Sequence, residues 1–156
     1  MTIPTARAAR IALSGYLLFL AWGFFAPVPD APSGLVAWMS STGDALGLPA
    51  ALTEGSRMEF VANVLIVAPV PVLAAWSEVP LVRAWSWRDW TSVMFVGSAT
   101  VELVQAFLLP ARSATYVDIV ANTAGGLLGA AAVHVVERLS VRDGRAFDRP
   151  GGRWLR

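Results

Sequence analysis

Residues 101–129, VELVQAFLLPARSATYVDIVANTAGGLLG, carry charge and amide groups into a chain that is otherwise strongly apolar. Glu102 and Gln105 interrupt one apolar run, Asp118 and Asn122 the next, and Arg112 lies in the short turn after Pro110. On a helix, Glu102, Gln105 and Leu109 share one face, and so do Asp118, Asn122, Gly125 and Gly129. Two helices joined by a tight turn therefore bring two carboxylates and two amides together around one arginine. This spacing predicts a helical hairpin with a polar inner face and makes that face the candidate site.

The rest of the composition says what such a hairpin sits in. Of 156 residues, 56% are hydrophobic and only 15% charged, against roughly 25% charged in soluble domains. The net charge of +1 gives no general case for a nucleic-acid partner, and all twelve basic residues are arginine. Without cysteine there is no disulfide, thiolate chemistry or cysteine-bound metal.

Four apolar runs stand out, at about 11–28, 60–77, 91–109 and 116–136, each near the roughly 20 residues that a membrane-spanning helix needs. The first exceeds a signal-peptide core and lacks a clean small-x-small cleavage site after it. The second contains Asn63 and two prolines, Pro69 and Pro71, which remove backbone donors and kink the helix. In the fourth, Gly125-x-x-x-Gly129 suits close helix packing. Residues 29–58 form a long connection whose apolar positions around Trp38 fit either a short helix at the membrane interface or a loop packed over the bundle. Trp76, Trp85, Trp87 and Trp90 accompany Arg83 and Arg88, a pairing that membrane–water boundaries select.

The predicted architecture is an all-α, polytopic membrane protein: a bundle of four transmembrane helices with both termini cytoplasmic. Residues 1–137 form the membrane domain and 138–156 a basic cytoplasmic tail. The orientation follows from arginine placement. Arg7, Arg10, Arg83, Arg88 and the six arginines from Arg138 onward fall on the side of the termini, while Arg57 and Arg112 fall opposite. That puts Asn63, Glu102, Asp118 and Asn122 at outer-leaflet depth, with Glu102 roughly 10 Å below the end of its helix.

The ordered pattern Glu102-x-x-Gln105-x-Phe107, then Arg112, then Asp118-x-x-x-Asn122-Thr123-x-Gly125-x-x-x-Gly129 resembles the signature of VanZ-like membrane proteins, a family named for a glycopeptide (teicoplanin) resistance protein. Asn63 followed by Pro69 is a weaker upstream match. Thr115 and Val117 stand where relatives often carry acidic residues, and Pro71 where a glycine is found. The resemblance implies a role in the cell envelope and in the response to antibiotics.

An ionisable group inside a span costs about 2.5–3.5 kcal/mol on insertion scales, so it needs a partner or a task. Glu102, Gln105, Arg112, Asp118, Asn122, Asn63 and Arg57 are therefore taken together as a ligand site, with Arg112 expected to neutralise Glu102, Asp118 or both. Gly125 and Gly129 are assigned to helix packing. The expected function is recognition of an amphiphilic envelope molecule at the outer leaflet, such as a lipid-linked cell-wall intermediate or a glycopeptide. The alternative is a small transporter or lipid-translocating protein using Glu102 as a proton or headgroup site. Membrane lipids are the other expected partners. His134 stands alone near the end of the fourth run and fits an interface residue. No serine–histidine pair or histidine cluster accompanies the carboxylates, and an arginine between two acids opposes proton sharing. No catalytic residue, metal or cofactor is assigned.

Overall fold

The computed structural model describes residues 6–26, 30–109 and 115–142. Among these there are helices and no strand: α1 (Ala6–Phe25), α2 (Asp30–Ala45), α3 (Ala50–Thr53), α4 (Gly55–Val67), α5 (Pro69–Ser77), α6 (Pro80–Arg83), α7 (Trp87–Leu108) and α8 (Tyr116–Arg142). Four segments are long and apolar enough to cross a bilayer: Ala6–Phe25, Gly55–Ser77, Trp87–Leu108 and Tyr116–Leu139.

Burial is inverted relative to a water-soluble bundle. Leu18, Phe95, Phe107 and Leu128 stand exposed, while Ser98, Glu102, Gln105 and Asn122 are buried. An apolar exterior of this extent suits hydrocarbon, where inward polar groups find partners and outward leucines need none.

The second span is α4 and α5 joined at Ala68, which keeps right-handed helical angles, so the chain kinks there without leaving the helical path. Pro69 and Pro71 have no N–H, and the carbonyls of the preceding turn lose donors. Those are the Leu65 and Val67 carbonyls, four residues earlier, and the Ile66 carbonyl between them accepts the Tyr16 hydroxyl of α1 at 2.6 Å. Helix α8 packs along the kink. A side chain at Gly125 would meet the Val64 carbonyl at 2.5 Å, and one at Gly129 would collide with the Ala68 carbonyl. Glycine lets two backbones touch here because no Cβ stands between them.

Helix α8 is central, against α7, α4 and α5, while α1 packs on α5 and α2 lies on α3 and α4. The alternating direction of the spans gathers the C-terminal ends of α1 and α7 and the N-terminal ends of α4 and α8 at one end of the bundle, beside α2. The apolar core of Leu20, Val70, Ala74, Trp90 and Ala130 runs from the edge of that end, at Leu20, toward the other. There Trp85 meets Trp90 edge-on at 4.8 Å, and a reciprocal Ser86–Asp89 capping box starts α7. Arg10 Nε donates to the Ser77 carbonyl at 2.8 Å, a cation on the last turn of α5, where helix carbonyls lack partners.

The helices differ from the sequence expectation at their ends. Helix α1 begins at Ala6, ahead of residue 11, because arginine is a good helix former and Arg10 finds an acceptor. The second span begins at Gly55 and takes in Arg57 and Glu59. The long connection contains the 16-residue helix α2. Its Pro32 falls in the first turn, where no intrahelical donor is lost. The tail beyond residue 142 lies outside the described residues.

Candidate functional site

The sequence Thr115-x-x-Asp118 opens α8 in the manner of a capping box, but only half of the reciprocal pattern is used. Thr115 Oγ1 accepts the Asp118 N–H at 3.2 Å and donates to Asp118 Oδ2 at 2.9 Å. The Thr115 backbone N–H turns instead to α7 and donates to Glu102 Oε2 at 2.6 Å. Asp118 Oδ1 accepts from Asn63 Nδ2 of α4 at 2.6 Å. Both carboxylates thus sit at the N-terminal end of a 27-residue helix, where the helix dipole stabilises negative charge. The first turn of α8 is fastened to two other helices by these groups.

One turn deeper, Asn122 Nδ2 donates to Ser98 Oγ of α7 at 2.9 Å. Asn122 is only 5% exposed, and its Oδ1 has no hydrogen-bond partner. A buried acceptor left in this state costs about 1–3 kcal/mol. Gln105, equally buried, donates from Nε2 to the Phe24 carbonyl at 2.7 Å. That bond satisfies a carbonyl in the last turn of α1 and ties α1 to α7.

These side chains form one wall of a cavity of about 780 Å³, within the range that drug-sized ligands fill. Asn63, Glu102, Gln105, Asp118 and Asn122 line it on the α4, α7 and α8 side, with Glu59. Phe19, Leu20, Trp22 and Phe24 of α1 and Leu35 and Val36 of α2 line it on the other. The space is therefore two-faced, with carboxylates and amides opposite aromatic and aliphatic surface.

Five of the sequence-derived site residues meet on this cavity. Arg57 does not. It is exposed and lies 3.8 Å from Glu54, an i,i+3 pair outside the lining. Arg112 lies outside the described residues, so the expected pairing with Glu102 or Asp118 falls there too. Gly125 and Gly129 sit against the α4–α5 kink. His134 is exposed on α8 and does not line the cavity.

Glu59, Ser98 and the aromatic wall of α1 are not among the site residues read from the sequence, and Thr115 enters there only as a departure from the family pattern. Ser98 stands four residues before Glu102 on the same helical face, and Thr115 three before Asp118, so both were available to periodicity and capping rules. Among the described residues no three His, Asp or Glu side chains gather closely enough to hold a metal ion.

The VanZ/LLP1 family model matches residues 13–137. The chain belongs to the VanZ/LLP1 family. No curated protein and no solved structure matches it. This VanZ/LLP1 member is a multi-pass membrane protein by its four apolar spans, and every polar residue of the cavity wall falls inside the matched region.

Proposed function

We propose that this VanZ/LLP1 protein recognises an amphiphilic molecule of the cell envelope at the outer leaflet. The observation that carries this reading is the two-faced cavity. A polar head meets Glu102, Gln105, Asp118 and Asn122, while an apolar chain runs along Phe19, Trp22 and Phe24. The arginine asymmetry supports cytoplasmic termini, and with them a cavity that opens outward. The family context favours a lipid-linked cell-wall intermediate or a glycopeptide as the molecule bound.

Ala37 lines the cavity from α2 and is otherwise exposed, so Ala37→Trp fills the space without disturbing the core. Binding of a labelled twelve-carbon amphiphile to protein in nanodiscs is expected to weaken at least tenfold in that variant. Undiminished binding would overturn this reading.

The break between α4 and α5 supports a second reading, translocation, since interrupted membrane helices recur beside transport sites. Flux of lipid or protons across vesicles, lost in Glu102→Gln, would select it over recognition alone.

A further inference from the structure

Helix α1 joins the bundle along only part of its length. Arg10 reaches the last turn of α5, Tyr16 reaches the Ile66 carbonyl, and Leu20 enters the core with Val70 and Ala74. These contacts follow the second span backward from its end, as antiparallel neighbours do. Past Leu20 the pairing stops. Helix α1 packs on α5 and has no comparable packing on α7, on α8 or on α4, the half of the second span level with its last turns. The cavity occupies that gap, lined from α1 by Phe19, Trp22, Gly23 and Phe24. Across it, the 2.7 Å bond from Gln105 Nε2 to the Phe24 carbonyl ties the end of α1 to α7.

Phe19 and Trp22 line the cavity and are nevertheless 47% and 59% exposed. Side chains of this kind on a membrane-spanning helix lie at the seam between cavity and hydrocarbon, and the exposed Leu18 and Phe25 continue the same apolar surface. On α4 the two sides are separate. Glu59, Ala62, Asn63 and Ile66 recur at helical spacing and line the cavity, while Val61 and Leu65 are exposed outside it. A chain that slides from the bilayer onto Phe19 and Trp22 exchanges one hydrocarbon surface for another. Reaching the same wall from water first takes the chain out of the bilayer, at a cost that grows with every methylene.

We infer that the cavity is filled sideways from the membrane: an acyl chain of a bilayer lipid passes beside the last turns of α1 and lies between Phe19 and Trp22 on one side and the Ala62–Ile66 face of α4 on the other. The inference rests on the amphiphile reading above and adds the source of the molecule and its route.

The test uses the unaltered chain in phosphatidylcholine nanodiscs, with a fraction of the lipid carrying an aryl diazirine at the end of one acyl chain. After irradiation, adducts are assigned to single residues by mass spectrometry of peptides. Leu65 faces outward and labels whatever the route, so it serves as the reference. Ala62 is buried and borders the cavity, and labelling of Ala62 and Ile66 is expected within about tenfold of Leu65. Ala37→Trp is expected to cut the Ala62 and Ile66 adducts at least threefold and to leave Leu65 unchanged. Adducts confined to outward residues, or inner adducts that Ala37→Trp does not reduce, overturn sideways entry. Dodecyl maltoside carrying the same diazirine separates this failure from failure of the amphiphile reading. Inner adducts from the maltoside alone overturn the lipid route and leave amphiphile binding standing, whereas inner adducts from neither probe overturn both.

Discussion

Asn63 on α4 and Asp118 on α8, 55 positions apart in the chain, share a 2.6 Å hydrogen bond that joins two membrane-spanning helices at the cavity. Hydrogen bonds between membrane helices average only about 0.6 kcal/mol. This one ends on a carboxylate, and bonds to charged groups are worth about 1.5–3 kcal/mol. Asn63→Ala is expected to lower stability by about 1–2 kcal/mol. A double-mutant cycle with Asp118→Ala, read by unfolding in nanodiscs, is expected to return a coupling of at least about 1 kcal/mol. Coupling within error of zero would show that the two side chains do not act as a pair.

Glu102 completes the first turn of α8 by accepting the Thr115 N–H. Glu102→Gln keeps an oxygen acceptor and removes the charge, so it is expected to fold with little loss while binding weakens. Glu102→Leu removes the acceptor and leaves a backbone donor without a partner, at a cost of about 1–3 kcal/mol. Thermal unfolding of the two variants checks the order, and equal stabilities would count against the cap.

The glycines of α7 and α8 separate by what stands opposite them. At Gly129 a Cβ meets the Ala68 carbonyl and Pro71, which cannot move aside, and Gly129→Ala is expected to destabilise by about 1–3 kcal/mol. At Gly126 it meets Met94 at Cγ and Cβ, and because Cβ is fixed to the α7 backbone, Gly126→Ala is expected to destabilise as well. Gly97 faces open space, and Gly97→Ala is expected to stabilise its helix by about 0.5–1 kcal/mol. Melting temperatures of the three variants in one detergent test the ranking.

Orientation has its own test. Ser41 is exposed on α2, and Ser41→Cys is expected to react with an impermeant maleimide added to intact cells, whereas a reporter fused after Glu137 reads as cytoplasmic. Labelling of Ser41→Cys only after the cells are opened would invert the protein and turn the cavity inward.

The four spans were legible because hydropathy and helix length are set by the same bilayer, and the chain carries few charges within them. The polar wall was legible for a related reason. Glu102 with Gln105, and Asp118 with Asn122, repeat at helical spacing inside apolar runs, where charge is too costly to be incidental. Helix α2 was harder to see, since Pro32, Gly34 and Gly43 look like loop residues and only their positions in the helix make them tolerable. The apolar wall left no mark at all. Phe19, Trp22 and Phe24 read as ordinary membrane-facing residues, and what makes them a wall is the placement of α1 across from α7, secured by Gln105 reaching the Phe24 carbonyl. Sequence periodicity describes one helix at a time, and this surface exists only between helices.

The borrowed cap of α8 bears on how such a protein can change. Glu102 and Asp118 serve as fasteners between helices as well as lining the cavity, so altering either to suit a new ligand also loosens the scaffold. Ala37 and Trp22, on the opposite wall, are exposed. Variation in what is bound therefore has its freest positions on the apolar side: the wall that carries little chemistry is the one open to innovation, and the wall that carries most of it is held still by its second duty.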